Sequence, residues 1–366
     1  MKFEEKLAKL DCTLGHACQF CPEEPTCSLD KPHHNRRLIE ARLEEIDQIV
    51  VVLANKGGVG KSTVAANLAA GLGTRGFRVG MADADVHGPN QSRFFGFAGA
   101  HTRTTHYGLK THDFAAGGLA HPVRVGSLAF LLAEDTIPVV WRDAWKHDFI
   151  HHLIGSFDWG PLDFLVIDMP PGTGNELITL CDMLEGANVS SVLVSTPQAV
   201  AQMDSLKAAR FCCERGLPVI GAVENMAGIV CPHCEGTFHV FPEAGLPEAL
   251  AEMEIARLAQ IPLAPELAAA SDLGAPVVAA RPESAAALAF APLIEAVAAL
   301  GRAEFDGAVA RTLEEVFEQN LADREMQAAL EDLPEEARAA LEGEIGALLG
   351  GESERLKGAA QRRSGT

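Results

Sequence analysis

The sequence predicts a doubly wound α/β domain with a mostly parallel sheet, flanked by a cysteine-rich N-terminal arm and a helical C-terminal extension. Three observations carry this expectation. Short apolar runs alternate with helical patterns from Asp47 to about Leu300; residues 55–63 join the first run to a small-residue helical stretch, Val64 to Leu72; and two later runs end in aspartate. The strand-like runs are Ile49 to Ala54, Phe77 to Ala82, Phe164 to Ile167, Val189 to Ser195 and Pro218 to Val223. Helical patterns separate them, as in Gln198 to Arg215, where Val200, Met203, Leu206, Ala209 and Cys213 recur at helical spacing. The glycine-containing stretch 96–126 breaks the alternation and reads as a surface insertion.

With 366 residues and 48% apolar content, the chain can bury one large core and carry appendages. The expected division is an arm over 1–46, the α/β domain over 47–300 and an acidic extension over 301–366. In the extension, Leu313, Val316, Phe317, Leu321, Met326 and Leu330 follow one amphipathic helix, and a second helix follows them. A net charge of -20 argues against a broad nucleic-acid footprint, because phosphate contacts need clustered Lys and Arg. The alternating charges of Met1 to Lys6 do not lead into a signal peptide, and no apolar run reaches membrane-spanning length. A cytoplasmic protein without membrane or nucleic-acid partners is therefore expected. In a reducing compartment its nine cysteines serve as thiolates for metal more readily than as disulfides. Cys181, Cys212 and Cys213 lie in apolar helical surroundings and read as core.

The segment Asn55-Lys56-Gly57-Gly58-Val59-Gly60-Lys61-Ser62-Thr63 is a phosphate-binding loop. Its glycines let successive N–H groups face one anion, the following helix offers its positive end, and Lys61 adds a full charge. Ser62 can hold magnesium through its hydroxyl. A second lysine, Lys56, precedes the glycines and marks the deviant subgroup of such loops, in which nucleotide is shared across a dimer. The first acidic run ends Asp83-Ala84-Asp85, followed by Gly88-Pro89. Asp85 is the candidate for positioning the attacking water, with Asp83 as a loop cap or supporting group. The second ends at Asp168, before Met169-Pro170-Pro171-Gly172-Thr173-Gly174, and Asp168 is the Walker B aspartate that shares magnesium with Ser62. Asn225, at the end of another strand, can read adenine through an amide that both donates and accepts.

Cys231-Pro232-His233-Cys234 lets two thiolates reach one metal, but two ligands do not close a site. A second copy can supply another pair around an iron–sulfur cluster, His233 or His239 can complete a zinc knuckle, or the pair can act as a redox dithiol. In the arm, Cys12, Cys18, Cys21 and Cys27 suit a cubane cluster, with zinc as the competitor, and few apolar residues accompany them to fold the arm without metal.

Lys56 to Thr63, Asp83-Ala84-Asp85, Gly88-Pro89, Trp141-Arg142, Asp168 to Gly174, Thr196-Pro197-Gln198, Glu224-Asn225-Met226 and Cys231 to Cys234 together resemble the Mrp/ApbC family. Its members are deviant-Walker P-loop ATPases related to MinD and the nitrogenase iron protein, and act as iron–sulfur cluster carriers or scaffolds. The resemblance covers roughly residues 47–280. It implies a homodimer that binds ATP with Mg2+, holds a 4Fe-4S cluster between paired Cys231 and Cys234, takes it from cluster donors and delivers it to apoproteins. The arm is similar to the ferredoxin-like extension of the longer cytosolic scaffolds, which implies a second 4Fe-4S cluster on Cys12, Cys18, Cys21 and Cys27. Asn55 replaces a usual glycine, Arg142 is followed by Asp143-Ala144 in place of Gly-Pro, and Asn175 replaces an aspartate. Two rival functions share the fold. An ATP-driven reductase would use the cluster for electrons, whereas a MinD- or ParA-like positioning ATPase would need a basic face or tail where this chain is acidic.

Overall fold

The computed structural model describes residues 3–10, 12, 14–86, 88–132, 143–230, 236–239, 241, 250–251 and 253–301. Its strands are β1 (Ile46–Leu53), β2 (Val79–Asp83), β3 (Thr104–Thr105), β4 (Gly108–Lys110), β5 (His112–Phe114), β6 (Val123–Ser127), β7 (Phe157–Asp158), β8 (Leu162–Asp168), β9 (Val189–Ser195), β10 (Val219–Asn225), β11 (Ile229–Val230), β12 (Thr237–Phe238) and β13 (Arg257–Ile261). The helices used below are α1 (Phe3–Ala8), α2 (Lys31–Leu43), α3 (Lys61–Thr74), α4 (Gln91–Phe94), α5 (Asp143–Gly155), α6 (Asn175–Met183) and α7 (Ala199–Glu214).

Eight strands form one sheet in the order β13-β10-β9-β1-β8-β2-β6-β5, and only β5 runs antiparallel to its neighbour. The centre is β1, paired in parallel with β8 and β9. Val50, Val51 and Val52 are buried in succession, as a strand covered on both faces requires. Helix α3 packs Val64, Leu68 and Leu72 into the same core, joined by Leu293, Ile294 and Val297 of the helix Ala291–Leu300. This is the predicted doubly wound sheet. Strand ends lie in register along one edge, with Val52 and Asp83 both opposite Asp168, and that edge carries the site.

Two features depart from the sequence reading. The stretch 96–126 is not a surface insertion, because its β6 pairs with β2 inside the main sheet and buries Val123 and Val125 completely. Arg124 between them and the many glycines nearby obscure a short strand that packing specifies. The second feature is the arm. Leu7, Ala17 and Leu38 form a small apolar cluster with Phe3, Leu10 and Tyr107, so the arm packs its own α2 against its N-terminal turn and borrows one apolar partner from the β3–β4 turn.

Arg42 of α2 organises this junction while only 2% exposed. It donates to Asp158 Oδ1 at 3.2 Å, to the Gly15 carbonyl at 3.2 Å and to the Tyr107 carbonyl, and its guanidinium lies 4.0 Å from the Phe3 ring centre. Burial lowers its pKa to about 10, against the pull of Asp158. Gly15 is required here, since an added Cβ would sit 2.6 Å from the Tyr107 carbonyl oxygen. All described residues belong to one compact unit. The expected extension beyond residue 301 lies outside the described residues.

Candidate nucleotide site

The loop between β1 and α3 takes the shape its glycines allow. Gly58 and Gly60 have φ of +82° and +83°, in the left-handed region where side chains are strained. Cβ atoms built on Gly57 and Gly58 would meet nothing within 4 Å, so the loop's outer side is open. The first backbone bond of α3 runs from the Val64 N–H to the Gly60 carbonyl at 3.0 Å, leaving the Lys61, Ser62 and Thr63 N–H groups without helical acceptors. Free amides at a positive helix end, behind an open glycine cradle, fit a phosphate. Asn55 is not among the residues with positive φ, so asparagine replaces glycine there without strain.

Beneath the loop, charged groups are packed out of water. The Lys61 ammonium is paired with Asp168 Oδ1 and lies 3.4 Å from Ser62 Oγ. Its positive charge thus stands within reach of the hydroxyl and the carboxylate that sequence assigned to magnesium, and this oxygen pair suits a hard cation. Gln91 of α4 donates its side-chain N–H to Asp168 Oδ2 at 2.8 Å and to the Ser62 carbonyl at 3.0 Å. Asp83 is fully buried and accepts from the Asp85 N–H at 3.3 Å, the Gln91 N–H at 3.0 Å and the Ser127 hydroxyl at 2.9 Å. Burial, with the Asp168 charge second, holds the Asp83 carboxyl well above the usual carboxylate range. Asp85 is only partly buried and accepts from the Gly88 N–H at 3.2 Å. Asp83 therefore organises the loop, and Asp85 stands nearer solvent. Sequence reading missed Gln91 and Ser127; a glutamine two residues after Gly88-Pro89 was the only trace of the first.

Asn225 ends β10 almost wholly buried and donates its amide to the Val59 carbonyl at 2.8 Å. Its Oδ1 is buried without a partner. The structure thus places Asn225 against the phosphate loop, with an acceptor left over. A Cβ on Gly60 would lie 2.1 Å from the Asn225 amide nitrogen, so this glycine admits the asparagine as well as the turn. Met226 follows with φ +57°, a left-handed conformation uncommon for a long side chain.

Beyond Met226 the chain is pinned by Ala227 N–H to Ile261 O at 3.0 Å and Leu263 N–H to Gly228 O at 2.8 Å. It then forms the hairpin β11–β12, with Val230 opposite Thr237. Cys231 and Cys234 fall between these strands, outside the described residues, as do Trp141, Arg142 and His233. His239 places Nδ1 2.8 Å from the Ala227 carbonyl, at the hairpin base.

In the arm, Cys18 is buried and the other three thiols are partly buried. Burial, then the charges of Cys27, Cys21 and Cys12, raise the Cys18 pKa, so the four thiols sense one another. Cys18 Sγ lies 3.4 Å from His34 Nδ1. Among the described residues no three such side chains close on one point. The arm offers cluster-type donors that are near one another but not converged.

A glycine loop at a strand-to-helix turn, a lysine reaching under it and an aspartate ending the neighbouring strand define a P-loop nucleoside triphosphatase. The chain belongs to the NUBPL iron-transfer P-loop NTPase family of ParA type, whose model matches residues 45–298. It is 39% identical over 262 residues to the iron–sulfur cluster carrier protein of Pseudomonas fragi, covering 72% of this chain and 88% of that one. It is 35% identical over 294 residues to the cytosolic Fe-S cluster assembly factor NUBP1 homolog of Caenorhabditis briggsae, covering 77% and 91%. A solved structure, the nucleotide-binding protein of Archaeoglobus fulgidus in complex with ADP, is similar with a TM-score of 0.58 and 32% identity, covering 66% of this chain and 92% of that one.

Proposed function

We propose that this protein is an ATP-dependent iron–sulfur cluster carrier, in which two copies hold a 4Fe-4S cluster between their Cys231 and Cys234 pairs and release it to apoproteins. One observation carries the reading most directly. Asn225 touches the phosphate loop at Val59, and only five residues separate it in sequence from Cys231, which directly follows β11. Iron–sulfur carriers among the relatives support the cargo. The -20 charge is the opposite of the basic face or tail that a positioning ATPase would need.

In this mechanism the 57–63 amides and Lys61 receive the phosphates, for which Lys61 must leave Asp168. Ser62 and Asp168 would hold Mg2+, which neutralises phosphate charge. Asp85 positions the attacking water, Lys56 reaches the nucleotide of the facing copy, and Asn225 offers its spare acceptor to adenine. Nucleotide contact with the loop shifts Asn225, and through Met226 changes how the hairpin presents its thiolates. Cys12, Cys18, Cys21 and Cys27 would hold a second cluster if their thiolates converged.

Replacing both Cys231 and Cys234 with alanine tests this. After anaerobic reconstitution with iron and sulfide, visible absorption from the bridged cluster should disappear while ADP binding is unchanged. Loss of both together, or zinc as the only bound metal in the wild type, would overturn the carrier reading.

A further inference from the structure

We propose that Gln91 is a positioning residue of the nucleotide site, setting which oxygen of Asp168 is free and how far that oxygen stands from Ser62. This rests on the P-loop reading of the site. Gln91 is completely buried, and its one side-chain nitrogen donates to Asp168 Oδ2 at 2.8 Å and to the Ser62 carbonyl at 3.0 Å. Its backbone N–H meanwhile donates to Asp83 Oδ2 at 3.0 Å. A single residue therefore ties together the ends of β2 and β8 and the first turn of α3.

The orientation of the amide is not arbitrary. Both partners of the nitrogen are acceptors, so exchanging nitrogen and oxygen would set acceptor against acceptor. The remaining atom, Oε1, is buried with no partner. Packing alone does not explain this arrangement, since methionine would fill much the same space without an orphaned acceptor.

The consequence appears when Lys61 turns to a phosphate. Asp168 then loses the ammonium from Oδ1 but keeps the Gln91 donor on Oδ2. Oδ1 becomes the oxygen available to a divalent cation, and the Ser62 contact holds the neighbouring hydroxyl at a fixed spacing from it. Supporting partners of metal ligands act in this way, by fixing the ligand rather than by touching the ion.

The test compares wild type with Gln91→Met, titrating ADP in chelator and then with added Mg2+. The expected result is ADP affinity in chelator within about twofold of wild type, and a magnesium requirement for tight binding raised about tenfold or more. An unchanged magnesium requirement overturns the proposal, and so does an equal loss with and without magnesium, which marks a merely structural glutamine. Should Gln91→Met fail to fold, the wild-type side-chain amide carries the test by nuclear magnetic resonance. Its protons should stay protected from exchange in Mg2+–ADP, and rapid exchange there overturns the proposal. Wild type that binds no nucleotide under either condition would instead remove the P-loop reading itself.

Discussion

Gly60 meets two demands that no other residue satisfies together. Its φ of +83° is strained for any side chain, and a Cβ there would collide with the Asn225 amide at 2.1 Å. Gly60→Ala should therefore cost about 1–3 kcal/mol of stability and shift the loop away from Asn225. ADP affinity measured by calorimetric titration should fall at least ~10-fold, because the displaced amides no longer converge on the phosphate. Wild-type affinity would show that this peptide takes no part in binding. The proximity of Lys61, Ser62 and Asp168 was legible in the sequence, since it follows from spacing around one turn and one strand end. Gln91 was not, because its partner Asp168 lies 77 positions away and nothing local links the two. The same separation hid Arg42, whose carboxylate partner is 116 positions distant.

Among elements, the central strands announced themselves through uninterrupted apolar runs, whereas β6 did not, having only five residues with a partly exposed arginine inside it. Helix α2 gave even less away. Its sequence, Lys-Pro-His-His-Asn-Arg-Arg-Leu-Ile-Glu-Ala-Arg-Leu, looks like a solvated helix, yet it buries Ile39 in the main core, Leu38 in the arm's small cluster and Arg42 at the junction between them. Asp30 caps it by accepting from the His33 N–H at 3.1 Å. Arg42→Met keeps an unbranched apolar side chain of similar reach but removes the guanidinium from the Phe3 ring and the donors to Gly15, Tyr107 and Asp158. The buried Gly15 carbonyl and the partly buried Tyr107 carbonyl then lose a partner, while the Asp158 carboxylate, 31% exposed, stays partly hydrated. The expected cost is about 2–4 kcal/mol in urea denaturation, with faster protease cleavage of the arm and unchanged ADP affinity. A loss below about 1 kcal/mol would assign the docking to the Leu7–Ala17–Leu38 cluster instead.

For the whole molecule, the carrier reading requires two copies of a strongly acidic chain to approach closely enough for four thiolates to share one cluster. With 30 Lys and Arg against 50 Asp and Glu, each copy repels the other at long range. Local contacts at the nucleotide edge must overcome that repulsion, and dissolved salt reduces it, because the Debye length falls from about 30 Å at 0.01 M to about 10 Å at 0.1 M. Association should therefore tighten as ionic strength rises across this range, the reverse of an interface assembled by opposite charges. Sedimentation equilibrium of the reconstituted protein in Mg2+–ATP, at several salt concentrations, measures the dissociation constant directly. Weaker association at higher salt would mean that attractive charge pairs dominate the contact. It would turn attention to Lys56, the lysine outside the α3 helix that this mechanism sends across the interface.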